Sequence, residues 1–297
     1  MNWTGINMRK TVFENIYLEL INENRVNGRP TKLVKFENIL KLISMMQNYE
    51  LDCHVVIAGQ NGVGKSYLLM ILLKSVLGDK FLNNMIWAKD TSTDIIDKIL
   101  VNRKTIFGID ELNYYLNYKE HASIEQNHFI KSLETAREKA IGFIGCVRDP
   151  RKLTYNYRNG KMSIVIWVLD RFVDGGAYCA VFIANPVIES SDRFGFDFLN
   201  FNITNFDDLK IIIEDIPSFN GYMIVPKIDK YLSPNEIKSY KEIKDISMAY
   251  SQLNHFISLL LKRKINKSEF DYKTQNLINI LGLENYNEAV NKIKVNK

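Results

Sequence analysis

Residues 54–78 read HVVIAGQNGVGKSYLLMILLKSVLG. An apolar strand, His54 to Ala58, enters a glycine-rich loop, and an apolar helix from Tyr67 to Leu77 leaves it, with Gly78 suited to end that helix. Gly59, Gly64, Lys65 and Ser66 match the G-x-x-x-x-G-K-[ST] spacing of a phosphate-binding loop. The flanking strand and helix supply the context which that mechanism requires. Backbone N–H groups of Gln60, Asn61, Gly62, Val63, Gly64, Lys65 and Ser66 are expected to wrap a β-phosphate at the positive end of the helix, with Tyr67 completing the nucleotide-contacting stretch. Lys65 is expected at the β/γ oxygens and the Ser66 hydroxyl on Mg²⁺. The expected ligands are therefore ATP and Mg²⁺, with ATP against GTP left open.

A second apolar strand, Thr105 to Ile109, ends in Asp110 and Glu111, and Asp110 lies 44 residues after Ser66. A carboxylate at a strand end beside such a loop suits a Mg²⁺ water shell, so Asp110 is read as the metal carboxylate. Glu111 is read as the group that orients and deprotonates an attacking water. The pair points to hydrolysis rather than phosphotransfer. A further strand, IGFIGCV from Ile141, closes on Arg148, Asp149 and Pro150. Arg148 is the candidate γ-phosphate sensor, or else a surface guanidinium paired with Asp149 or Glu111. Arg137, Arg151 and Arg158 are candidate fingers given to a neighbouring subunit's nucleotide, where they would neutralise developing phosphate charge, or else, each taken singly, ordinary surface charge.

Outward from this centre, strands and helices alternate, which predicts an α/β fold, a P-loop NTPase with a central, mainly parallel, three-layer sheet. Residues 1–50 form an N-terminal segment with a turn over Asn27 to Pro30. A helix follows near Phe36 to Met46, with Phe36, Ile39, Leu40, Leu42 and Ile43 facing the core. A short strand is expected at Met85 to Ala88, entered before a helix around Thr93 to Val101, and another helix over Ile124 to Lys139. The runs SIVIWVLDRF and AYCAVFIA flank Val173 to Gly176 as a β-hairpin that extends the sheet. The ATPase core is placed at 51–186. Residues 187–297 are read as irregular and then helical, near 234–263 and 270–294.

The 297 residues, 46% hydrophobic and 25% charged, fall in the ordinary globular range. The formal charge is +5, and residues 227–297 carry all of it, with 13 Lys or Arg against 8 Asp or Glu. Lys262, Arg263, Lys264 and Lys267 in that tail read either as complements of a helix dipole or as a phosphate-binding patch. Cys53, Cys146 and Cys179 lack any CxxC spacing and read as packing residues of a reducing compartment. His121 and His128 have no companions at metal-ligand spacing. Tyr114, Tyr115 and Tyr118 read as packing or as base stackers. No apolar run approaches the roughly 20 residues of a membrane span, and the N-terminus does not read as a secretory signal. A cytoplasmic location is expected, the host cytoplasm for a viral protein.

From Thr105 to Arg158 the layout of strand, Asp110, Glu111, helix to Arg137, IGFIGCVRDPRKL and distal Arg158 resembles the FtsK/HerA-type motor ATPases, including viral genome-packaging ATPases. With the loop, the resemblance covers roughly residues 50–170. It implies the RecA-like (ASCE) form of the P-loop NTPase fold, Glu-dependent hydrolysis, a homo-oligomeric ring with arginines acting across subunit interfaces, and movement of double-stranded DNA. Such motors often carry Gln where this chain has Arg148. A portal, capsid or replication protein would then be a partner. Two other classes share the loop: an initiator or loader ATPase of replication, and a morphogenesis or secretion ATPase resembling the zonula occludens toxin-like phage proteins. Small-molecule kinases share it too. Base contacts are expected from the segment Pro30 to Leu51.

Overall fold

The computed structural model describes residues 25–26, 29–30, 33–50, 53–90, 92–116, 124–171, 176–184, 213, 216 and 218–295. Strands β1 (Arg25–Val26) and β2 (Arg29–Pro30) pair as an antiparallel ribbon around the expected turn, whose residues 27 and 28 lie outside the described set. Then come β3 (Leu33–Val34) and helix α1 (Phe36–Asn48). Helix α1 buries Phe36, Ile39, Leu42, Ile43 and Met46, the i, i+3, i+4 stripe of an amphipathic helix, with Leu40 only half-buried.

The core continues as β4 (His54–Ala58), α2 (Lys65–Leu77), β5 (Met85–Ile86), α3 (Ser92–Val101), β6 (Ile106–Ile109), the short α4 (Asn113–Leu116) and α5 (Ile124–Glu138). After these come β7 (Gly142–Val147), α6 (Tyr155–Gly160), β8 (Ile164–Arg171), β9 (Ala177–Ile183) and β10 (Phe219–Val225). Strand β5 stops two residues short of the expectation, because Trp87 to Asp90 close into a turn in which the Asp90 N–H donates to the Trp87 carbonyl at 2.8 Å.

Among the described residues eight strands form one sheet, in the order β3-β10-β9-β8-β4-β7-β6-β5. Strands β4 to β8 are mutually parallel, buried Val, Ile and Phe runs of the kind that needs helices on both faces. The expected hairpin of β8 and β9 is present as an antiparallel pair, its turn at 172–175 outside the described residues. Strand β7 lies between the loop strand β4 and the acidic strand β6, which is the RecA-like arrangement. Ligands in open parallel sheets bind at the strand C-terminal ends where the winding reverses, here around β4.

Helix α2 reaches the sheet through Gly108, the middle of β6. A Cβ there would overlap Leu73 Cδ1 of α2 and stand 2.6 Å from Met85 Sδ. The missing side chain lets the helix lie directly on the strand that ends in Asp110. His54, buried at the start of β4, has Nδ1 3.3 Å from the Tyr157 hydroxyl, so the buried imidazole and phenol satisfy each other. Burial pushes the Tyr157 hydroxyl and the Cys179 thiol well above their ordinary pKa values, Tyr157 with a contribution from Cys53. All three cysteines are buried, as packing residues should be.

The chain resolves into two compact units. The first holds the described residues up to Ile86 and from 92 to Leu232; the second holds Trp87–Asp90 with Ser233 onward. The break at Leu232 differs from the boundary expected at 186, since β10 joins the core sheet by antiparallel pairing with β9 and parallel pairing with β3. In the second unit, α7 (Pro234–Leu261), α8 (Lys267–Leu281) and α9 (Leu283–Val295) enclose an apolar core of Leu253, Phe270, Leu277 and Leu281. Ser233 and Glu236 form a reciprocal capping box at the start of α7. The single helix expected over 270–294 is two helices, because Gly282 at φ +78° breaks it. No helix among the described residues is long and apolar enough to cross a membrane.

Gly108→Ala should lower stability by about 1–3 kcal/mol through overpacking. Adding Leu73→Ala should cost less in that background than in the wild type, because the smaller side chain vacates the space the new methyl needs. Urea midpoints of the two single variants and the double variant measure the coupling.

Candidate nucleotide site

The loop leaves β4 at Gly59, whose φ is +144° and whose added Cβ would lie 2.6 Å from the Val168 carbonyl of β8, so only glycine fits. The Gly59 N–H donates to the Arg148 carbonyl at 3.3 Å, tying the loop to the tip of β7. Gly64 takes a left-handed conformation, φ +96° and ψ 16°, and turns the chain into α2. The Tyr67 and Leu68 N–H groups both donate to the Gly64 carbonyl, at 3.0 and 3.1 Å, so α2 starts directly at the end of the loop.

The Lys65 ammonium folds back over its own loop, donating to the Gly59 carbonyl at 2.9 Å and the Gln60 carbonyl at 2.8 Å. Ser66 Oγ donates to Asp110 Oδ1 at 2.7 Å. This contact joins the start of α2 to the end of β6 across the interposed β7. Asp110 is 7% exposed, so its carboxylate sits in a setting where a hydroxyl partner is worth having, whereas Glu111 next to it is exposed. A serine hydroxyl and a buried carboxylate are hard oxygen donors, the set a divalent cation such as Mg²⁺ accepts.

The turn after Glu111 is fixed on β7. The Leu112 N–H donates to the Cys146 carbonyl at 2.9 Å, and Leu112 fills the space over Gly145, where a Cβ would meet Leu112 Cδ2 at 2.8 Å. Arg148, exposed, directs Nη2 to Gln60 Oε1 at 3.4 Å, a long contact that places it beside the loop. Its alternative partner Asp149 is held instead by Arg151, whose Nε and Nη2 reach the two carboxylate oxygens at 2.9 and 2.8 Å. Burial raises the Asp149 pKa, but the side-chain and backbone hydrogen bonds from Arg151 and the nearby Arg151 and Lys152 charges leave it below the ordinary value.

The structure therefore gathers Gly59 to Tyr67, Asp110, Glu111 and Arg148 at the C-terminal ends of the strands. Arg137 and Arg158 stand elsewhere. Arg137 lies in the last turn of α5, just before β7 begins, and six residues of strand span about 20 Å. Arg158 lies on α6, followed by Ser163, whose N–H donates to the His54 carbonyl at the start of β4. Both stem from the N-terminal edge of the sheet, away from the loop of their own chain.

Tyr115 stacks on Phe129 at 5.1 Å and Tyr114 is exposed, while Tyr118 and His121 lie outside the described residues, as does the His128 side chain. Among the described residues no three His, Cys, Asp or Glu side chains gather as a metal cluster. Sequence reasoning missed Arg171, the last residue of β8, whose guanidinium lies 5.5 Å from the centre of the Tyr67 ring.

Strand order, loop and acidic strand end define the class: a P-loop NTPase of RecA-like layout. No protein-family model matches the chain. No curated protein matches it either. Among solved structures it is similar to the N-terminal domain of zonular occludens toxin from Neisseria meningitidis, at 13% identity over 45% of this chain and 85% of that one, with a TM-score of 0.34. It is also similar to the genome packaging NTPase B204 from Sulfolobus turreted icosahedral virus 2. The complex with ATP-gammaS gives 17% identity over 41% of this chain and 76% of that one, TM-score 0.28. The complex with AMPPCP gives 20% identity over the same shares, TM-score 0.29.

Because the folded Asp149 pKa is depressed, its bridge to Arg151 contributes stability above the unfolded value of 3.8 and loses it as pH falls through the folded value. Arg151→Ala should therefore be less stable than wild type at pH 7, and the gap should close below about pH 4. Denaturant titrations at several pH values give the comparison.

Proposed function

We propose that the chain is an ATP hydrolase that works with Mg²⁺ as a subunit of a homo-oligomeric ring moving double-stranded DNA, in the manner of the FtsK/HerA-type and genome-packaging motors it resembles. The observation that carries the hydrolase reading is the 2.7 Å contact of Ser66 with Asp110, with Glu111 exposed one residue on. Ser66 and Asp110 would hold Mg²⁺, which when bound neutralises charge on the phosphates.

Lys65 exchanges the carbonyls of Gly59 and Gln60 for the β/γ oxygens, so its positive charge is already stationed at the loop. The loop N–H groups bind and orient the phosphate chain. The Glu111 carboxylate accepts a proton from the water that attacks the γ-phosphorus, and Arg148 supplies positive charge on the same side of the loop. Arg137 and Arg158, on elements at the opposite edge of the sheet from their own loop, would act in this reading on a neighbouring subunit's nucleotide. The basic region 227–297 supplies the cationic surface for duplex phosphates.

Glu111→Gln should keep ATP binding and lose about 10²–10⁴-fold in turnover, the usual worth of a positioned base; near-normal turnover would remove Glu111 from that role. Lys65→Ala should weaken binding and turnover together. For the motor reading, turnover of the wild type should rise with long duplex DNA and the stimulation should fade as salt is raised, because phosphate contacts release counterions. DNA-indifferent turnover, measured alongside oligomeric state, would overturn that part.

A further inference from the structure

The loop has two flanks, because β4 has a different neighbour on each side. On the β7 side stand Arg148, against Gln60, and one strand further Asp110, against Ser66. On the β8 side the Val168 carbonyl abuts Gly59, so the backbone of β8 runs along the loop. Register with β9 then slips between Val168 and Asp170, a bulge that re-aims the residues beyond it. The Arg171 N–H donates to Asp170 Oδ1 at 2.7 Å, and the Arg171 side chain runs back over the loop. Its Cδ lies 3.9 Å from the Cβ position of Gly64, and its guanidinium lies 5.5 Å from the Tyr67 ring centre.

Direction along the phosphate chain follows from the fixed chemistry of the loop. Lys65 serves the β/γ oxygens and Ser66 the cation, and Asp110 and Glu111 stand at that end. A nucleotide with its terminal phosphate there carries its nucleoside away from the acidic strand end, toward the β8 flank. We infer that Arg171 and Tyr67 form the nucleoside subsite of this loop, a cation–aromatic pair on which the base stacks. The inference rests on the nucleotide-binding reading of the loop and goes beyond it to the recognition of the base. Arg suits this role because its planar guanidinium stacks on one face while the other stays open, which a lysine ammonium does not offer. Stacking uses the face that every base has, so the pair binds adenine and guanine nucleotides alike.

The test is equilibrium binding of ATP, GTP and inorganic tripolyphosphate to the full chain and to Arg171→Ala, Arg171→Lys and Tyr67→Ala. Both alanine variants should bind ATP and GTP about five- to hundred-fold more weakly, the range expected for losing one stacking partner. Tripolyphosphate binding should stay within about twofold of wild type, and Arg171→Lys should resemble Arg171→Ala rather than wild type. Equal loss of tripolyphosphate and ATP would make Arg171 a phosphate ligand and overturn the subsite; so would unchanged ATP binding. A wild-type protein that binds neither ATP nor tripolyphosphate would instead overturn the reading of the loop itself.

Discussion

Everything at the site depends on how closely helix α2 lies on strand β6. The two elements are not sheet neighbours: β7 separates the strand that feeds α2 from the strand that ends in Asp110. A hydroxyl at the start of the helix reaches a carboxylate at the strand end only if the helix crosses the sheet without a side chain holding it off. Gly108, two residues before Asp110, is where that side chain would be, and Leu73 and Met85 occupy its space. The same device recurs on β7, where Gly145 admits Leu112 and so fixes the turn that displays Glu111. Two glycines in apolar strands, neither in the phosphate loop, set the distance between the halves of the site.

Local chemistry makes the loop and its acidic partner legible in the amino-acid sequence. Gly59, Gly64, Lys65 and Ser66 carry their meaning in their spacing, and Asp110 in its position after an apolar run. What is not legible depends on distant pairings. Strand β10 reads FNGYMIV, and Asn220 with Gly221 breaks the apolar run as a turn would; only pairing with β9 and β3 makes it a strand. Arg171 gives no signal because its place at the loop follows from a bulge in β8, which no local pattern announces. Gly282 is the one local sign that the last helix is two, and the apolar periodicity on either side obscures it.

Burial and charge are divided along the strands rather than around the loop. Asp110 is nearly enclosed and partnered by a hydroxyl, Glu111 faces solvent, and Asp149 spends its charge on Arg151. Three carboxylates at neighbouring strand tips thus have three different surroundings: a hydroxyl in a nearly enclosed setting, open solvent, and an arginine fork. The arginines divide likewise: Arg148 and Arg171 flank the loop, while Arg137 and Arg158 belong to the far edge.

The four residues Trp87–Asp90 leave the edge strand β5 and belong to the helical unit, where the Trp87 ring lies 5.6 Å from that of Tyr240 and the Lys89 N–H donates to Ser247 Oγ at 3.0 Å. The covalent thread consequently passes between the units three times, at 86/87, near 91 and at 232/233. Inheritance of the helical unit is therefore not modular: a recombination event that cut the gene after codon 232 would carry away the helices but strand an indole and an unpartnered amide in the half left behind. The pair would have to be gained, lost or exchanged together.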